Sequence, residues 1–188
     1  MDWSRNPRVV QAAKAMAAGE VIAYPTESVW GLGCDPNNPE AVQRLLAIKA
    51  RDVDKGLILV AESVSQIEAY LKNVSQEQRE LLESTWPGPV TWLVPHHGEV
   101  PYWITGNNKS VALRVSDHSL TSSLCKAFNG PIVSTSANPA GRPASRSRHS
   151  VNRYFGKSVK IITPGQLGKS KKPSEIRDLL TLKVLRSA

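Results

Sequence analysis

The chain has 188 residues, 40% of them apolar and 21% charged, which suits one soluble globular domain with a sizeable buried core. No apolar run approaches the length that crosses a bilayer, and the opening residues Met1 to Pro7 lack the basic-then-apolar layout of a secretory leader. The net charge of +8 is uneven: residues 1–138 carry 12 Lys+Arg against 14 Asp+Glu, whereas residues 139–188 carry 12 against 2.

Asn6-Pro7 reads as a helix start, because Asn caps and Pro suits the first helical position. Val9, Val10, Ala13, Met16 and Ala17 give this helix an apolar stripe, and Gly19 ends it. Val21 to Tyr24 is a short apolar strand. Asn38-Pro39 repeats the cap-plus-proline signal for a second helix with Val42, Leu45, Leu46 and Ile48 on one face. Leu57 to Ala61, short and continuously apolar, is a buried strand. Ser65 with Glu68 and Ser75 with Gln78 both fit the capping-box pattern, which predicts two helices. Trp86-Pro87-Gly88-Pro89 breaks the second of them.

Strands follow at Val90–Val94 and Val111–Val115. Asp117 is the expected cap of a helix through Phe128, which Asn129-Gly130-Pro131 terminates. Ile132-Val133-Ser134 is the next strand, a weaker helix covers about 148–155, and three short strands are expected near 159–163, 175–180 and 182–185. Strands and helices alternate without a strict βαβ rhythm, so the expectation is an α/β domain with a twisted, mixed sheet. Residues 139–150 and 164–174, rich in Pro, Gly, Ser and basic residues, read as loops. No composition shift marks a second domain. Cys34 and Cys125 have no CxxC or histidine-spaced partner and read as buried thiols of a reducing, cytoplasmic compartment.

The candidate site residues cluster at strand and helix ends. Lys49 and Arg51 close the second helix, but residues i and i+2 do not share a helix face, so the helix must unwind between them for both to reach one ligand. Arg51 can fork onto a phosphate or carboxylate, Lys49 acts as a point charge, and Lys55 adds a third cation. The plain alternative is a solvated helix end whose cations complement the dipole. Ser134 to Asn138 emerges from an apolar strand, and ligands gather at such carboxyl ends. Ser134 and Ser136 share a face if the chain stays extended. A self-bonded polar turn is the alternative.

Thr26, in Tyr24-Pro25-Thr26-Glu27-Ser28, can bond a small polar substrate. Glu27 either helps hold magnesium or caps Ser28 to Gly31, and the structural role is favoured. Arg114, alone on an apolar strand, needs a partner if buried: an amino-acid carboxylate or an internal acid. Gly31-Leu32-Gly33 lacks the rest of a dinucleotide fingerprint, and no P-loop, GxSxG elbow or zinc spacing occurs. Trp86, Trp92 and Trp103 read as core or rim aromatics.

YPTE at 24–27, KxR at 49–51, WPGPVT at 86–91, VALR at 111–114, STSAN at 134–138 and PSEIRD at 173–178 occur in this order. Together they resemble the YrdC/TsaC family over about 160 residues. That resemblance implies a twisted α/β fold around a deep, positively charged cavity. It implies condensation of L-threonine, bicarbonate and ATP to L-threonylcarbamoyl-AMP with release of pyrophosphate. Magnesium would come with the ATP, and downstream proteins would pass the group to tRNA. The family's polar tetrad falls on Lys49, Arg51, Ser136 and Asn138. Arg51, Lys55, Ser110, Ser136 and Arg186 match nucleotide contacts, and Thr26, Arg114, Ser134 and Ser174 match threonine contacts.

The chain looks like the short bacterial form, without the second domain of longer relatives. Val60 stands where many of those have a histidine near the threonine. The rival expectation is a non-enzymatic module that binds tRNA or double-stranded RNA, or serves ribosome maturation. It rests on the basic C-terminal quarter, a patch that attracts phosphates over roughly 8 Å at physiological salt. Weak RNA binding is compatible with the enzyme as well.

Overall fold

A computed structural model describes residues 2–187. The helix α1 (Pro7–Ala17) starts where Asn6 accepts a bond from the Arg8 N–H. Strands β1 (Ile22–Pro25) and β2 (Trp30–Gly33) form an antiparallel pair. Helix α2 (Pro39–Lys49) is capped by Asn38 and stops at Ala50, which takes a left-handed conformation at φ 50°. A 3-10 turn over Val53–Lys55 leads to β3 (Ile58–Ala61), then a second 3-10 segment, Val64–Tyr70. There follow α3 (Gln76–Thr85), β4 (Val90–Pro95), the one-turn α4 (Tyr102–Thr105), β5 (Ser110–Val115), α5 (Ser119–Phe128) and β6 (Ile132–Ser136). The chain continues through α6 (Arg148–Phe155), β7 (Ile161–Ile162), β8 (Glu175–Asp178) and β9 (Val184–Arg186).

Among the described residues nine strands join one sheet in the order β7-β1-β2-β6-β3-β5-β4-β8-β9. It is mixed: β1 with β7, β3 with β5 and β4 with β8 run parallel, and the remaining pairs are antiparallel. Side chains alternate across a sheet, and the core divides accordingly. Ile22, Tyr24, Val60 and Ile132 pack with Val9, Ala12 and Met16 of α1 and Leu120 and Leu124 of α5. Their sequence neighbours Val21, Ala23, Leu59, Ala61 and Val133 enter the larger cluster on the opposite face. The α1–α5 pair thus covers only part of its face. Further along β3 and β6, and on the neighbouring β5, Ile58, Ser134, Ser136, Ala112 and Arg114 are left to floor a cavity.

Several local expectations change. Ser65 and Glu68 form no capping box: the segment is 3-10, the Ser65 hydroxyl meets that of Ser63 at 2.8 Å, and Glu68 pairs with Arg79 at 2.8 Å. The Ser75–Gln78 capping box is present. His118, not Asp117, caps α5, its Nδ1 accepting from the Thr121 N–H. The last three strands are shorter than expected. Trp86, Trp92 and Trp103 each spend the indole N–H inside the protein, on Val90 O, Thr85 Oγ1 and Pro36 O. Both cysteines are buried and unpaired, and burial pushes the Cys34 thiol up to about 12.

Candidate active site

The cavity encloses about 530 Å³. Among the described residues five cationic side chains line it, Arg51, Lys55, Lys109, Arg114 and Arg186, and no Asp or Glu does. Of the residues singled out in the sequence, Thr26, Arg51, Lys55, Ser110, Arg114, Ser134, Ser136, Asn138, Ser174 and Arg186 all reach this lining.

Lys49 does not. The left-handed turn at Ala50 separates it from Arg51, so the chain does unwind between the two cations, but it turns them to different tasks. Lys49 is buried, and its Nζ donates to the carbonyl oxygens of Ser136 and, at 2.8 Å, Asn138. The expected point charge is therefore an anchor behind the site. Burial, helped by the Arg51 charge, pulls its ammonium down to about 8. Arg51 crosses its own loop and donates to Gly56 O at 2.8 Å, with its Nε buried and unpartnered. Burial lowers its pKa.

The strand end at Ser136 is self-organised. The Ser136 hydroxyl donates to Asn138 Oδ1 at 2.6 Å, and Asn138 Nδ2 donates to Arg142 O at 2.7 Å. On the opposite wall Asp54 ties two loops together. It accepts from the Tyr102 hydroxyl (3.2 Å) and from the backbone N–H and side-chain amide of Asn107 (3.1 Å each). Its carbonyl accepts from Asn108 Nδ2 at 2.9 Å. The loop bearing Lys55 is thereby fixed to the one bearing Asn108, Lys109 and Ser110. The role of Asp54 is not visible in the sequence, since its partners lie some fifty residues away.

The floor holds a buried ion pair. Arg114 Nη1 stands 3.2 Å from Glu27 Oε2, and the Ser116 hydroxyl donates to Glu27 Oε1 at 2.5 Å. Burial works against the Glu27 charge, but Arg114 and Ser116 outweigh it and the carboxyl titrates below its usual range. Arg114 thus has an internal acid, one of its two expected partners, and Glu27 is structural through that pair rather than through a cap. Arg114 Nε stays buried with no acceptor, so the guanidinium retains donor capacity.

The Thr26 hydroxyl donates to Val29 O at 2.7 Å, leaving it only lone pairs for a ligand. The strap at 164–174 crosses behind it, with the Gly168 and Ser170 N–H groups on Thr26 O and Glu27 O. Ser174 shares a bond with Thr91 Oγ1 at 3.0 Å and receives Arg186, whose Nη2 meets the Ser174 carbonyl at 2.6 Å. Val60 lies in the α1–α5 core and does not line the cavity.

Among the described residues no group of three or more His, Cys, Asp or Glu can hold a metal ion. No helix among them is long and apolar enough to cross a membrane.

The family model Sua5/YciO/YrdC, described as telomere recombination, matches residues 14–188. A threonylcarbamoyl-AMP synthase of Cellvibrio japonicus (strain Ueda107) is 56% identical over 186 residues, covering 99% of this chain and 98% of its own. One of Stutzerimonas stutzeri (strain A1501) is 54% identical over 187 residues, 100% of this chain and 98% of its own. Among solved structures, P. abyssi Sua5 complexed with L-threonine superposes with a TM-score of 0.87 at 33% identity, over 95% of this chain and 53% of that one. E. coli YciO gives 0.83 at 27% identity, over 95% and 88%. The chain thus spans about half the length of Sua5.

Proposed function

The chain belongs to the Sua5/YciO/YrdC family, and from that premise we propose that it is an L-threonylcarbamoyladenylate synthase. It condenses L-threonine, bicarbonate and ATP to L-threonylcarbamoyl-AMP and pyrophosphate. The observation that carries this reading is a cavity lined, among the described residues, by five cations, small hydroxyls and no Asp or Glu, in a chain more than half identical to synthases of that name.

The nucleotide takes the side of Arg51, Lys55, Ser110, Ser136, Asn138 and Arg186. The amino acid takes Thr26, Arg114, Ser134 and Ser174. Its carboxylate faces the unspent donors of Arg114. Its amine faces Thr26, whose hydroxyl proton is committed to Val29 O and which can therefore only accept. The free amine attacks carbon dioxide with loss of a proton, or bicarbonate carbon with loss of water, and the resulting carbamate oxygen attacks the α-phosphorus. Pyrophosphate leaves as that bond forms. Negative charge grows on phosphate oxygens during the attack, and fixed cations stabilise it without reorganising. Among the described residues the lining offers magnesium no Asp or Glu, so the ion would be carried by the triphosphate itself, and the residues here supply cations and orientation.

The product goes on to downstream transfer proteins that modify tRNA, in the cytoplasm. Weak tRNA or double-stranded RNA binding is carried by the basic C-terminal quarter. A second cavity, of about 330 Å³ and lined by Arg8, Arg148 and Lys160, favours that addition. A non-enzymatic RNA module is the rival.

The test supplies ATP, magnesium, L-threonine and carbon-13 bicarbonate and looks for L-threonylcarbamoyl-AMP by mass spectrometry. A labelled product one mass unit heavier is expected. Adenylate formation without the label, or no adenylate from folded protein, would reject the reading.

A further inference from the structure

Gly31-Leu32-Gly33 has no place in a dinucleotide fingerprint, yet both glycines have a structural reason. Tyr24 stands on β1 opposite Gly31 on β2, and β6 lies beyond β2. The Tyr24 side chain is fully buried and crosses β2 to reach β6, where its hydroxyl donates to Ser134 Oγ at 2.8 Å. A Cβ on Gly33 would stand 2.9 Å from the Tyr24 ring and 2.6 Å from Val133 O. A Cβ on Gly31 would stand 3.4 Å from Tyr24 Cζ. The two glycines face the same side of the strand and leave a trough that the phenol fills. Tyr24 itself does not line the cavity, whereas Ser134 does.

We infer that Tyr24 is a positioning residue, which through its bond to Ser134 Oγ fixes that hydroxyl as a hydrogen-bond donor to the amino-acid substrate. A serine hydroxyl has one proton and two lone pairs. With one lone pair taken by the phenol, the Ser134 proton is released toward the cavity, on the side where Arg114 also offers donors. Burial raises the phenol's pKa, so Tyr24 keeps its proton at working pH and the arrangement does not switch. On the amino-acid side, Thr26 is held as an acceptor by Val29 O and Ser134 as a donor by Tyr24. The two hydroxyls therefore distinguish the amine end of the substrate from its carboxylate end.

This inference rests on the amino-acid subsite proposed above, and the test separates the two. L-threonine and ATP affinities are measured by calorimetry on wild type, Tyr24→Phe, Ser134→Ala and the double variant, with thermal unfolding recorded for each. Tyr24→Phe keeps the ring in its trough and is expected to weaken threonine binding on the order of 5- to 10-fold, the worth of one oriented neutral bond, with ATP affinity unchanged. The double variant should bind threonine as weakly as Ser134→Ala alone, because Tyr24 acts only through that hydroxyl. Unchanged threonine affinity in Tyr24→Phe, equal losses for threonine and ATP, or additive losses in the double variant would overturn the positioning role. Wild-type protein that binds ATP but not threonine would overturn the subsite itself, and the inference with it.

Discussion

Replacing Lys49 by Met keeps the length of the side chain and removes its charge and donors. In the native protein Nζ serves the carbonyls of Ser136 and Asn138, and it does so from a buried position. Two charge-assisted bonds of roughly 1.5–3 kcal/mol each give a gross loss of about 3–6 kcal/mol. Against this stands the cost of a buried ammonium. Its pKa falls from 10.5 to about 8, which at about 1.4 kcal/mol per unit corresponds to roughly 3 kcal/mol at neutral pH. The net effect on unfolding free energy should therefore be modest, about 0–3 kcal/mol.

Function should suffer more, because the end of β6 at Ser136 and the loop after it at Asn138 lose their tie to α2. We expect turnover in a pyrophosphate-release assay to fall at least ~10-fold, on the scale of a misplaced contact, while threonine affinity stays near wild type. The sign with pH follows from the lowered folded-state value. The unfolded chain binds the extra proton between about pH 8 and 10.5, so wild-type stability relative to Lys49→Met should rise across that window. A neutral amine still has two N–H donors for two carbonyls, so the anchor survives deprotonation. Urea unfolding at pH 7 and 9.5 and the wild-type rate through pH 8 check this. Wild-type turnover in Lys49→Met would refute the anchor. So would an activity loss near pH 8 that is specific to Lys49, because it would mean that the ammonium serves the ligand as a charge.

Arg51→Ala removes the cation nearest the α2 turn and should cost about 1.5–3 kcal/mol of transition-state stabilisation, read as a ~10- to 150-fold drop in kcat/KM for ATP. Glu27→Ala leaves Arg114 buried without its acid and should destabilise the fold by about 3–5 kcal/mol in urea unfolding. Because the folded-state pKa of Glu27 is depressed, its contribution is present above the unfolded value near 4.5 and is lost as pH falls through the folded one, which an acid-unfolding series would show. Asp54→Ala frees the Lys55 loop from Asn107 and should raise KM for ATP several-fold without raising that for threonine; equal rises would mean that the clamp supports the whole cavity.

What could be read from the sequence was local. Asn6-Pro7, Asn38-Pro39 and Ser75 with Gln78 each carry their cap within three residues, and all three helices begin there. Strand β2 is absent from the expected elements, because Gly31-Leu32-Gly33 carries no apolar alternation, and the reasons glycine suits that strand, the Tyr24 ring and the Val133 carbonyl, are tertiary. The 3-10 segment after β3 shows the same limit, since Glu68 finds Arg79 instead of its own helix start. The site was legible as a set of residues and not as a set of roles. Ten of the eleven positions implied by the resemblance meet in one cavity: strand alternation sends Ser110, Arg114, Ser134 and Ser136 to the same uncovered face, and the loops at strand ends bring Thr26, Arg51, Lys55, Asn138 and Ser174 to it. The sequence does not show where Lys49 points, because the left-handed Ala50 turns it toward carbonyls on β6 and the loop after it, far away in sequence. Arg114 was left between two partners for the same reason.

If this cavity adenylates a carbamoylated threonine, pyrophosphate release from ATP with magnesium and bicarbonate will show it, with L-threonine present or absent and with L-serine and L-valine as controls. Release should depend on threonine, be weaker with serine, and be absent with valine. Folded protein that releases no pyrophosphate with threonine, yet binds tRNA with an affinity that falls steeply with salt, would contradict it in favour of the RNA-binding module.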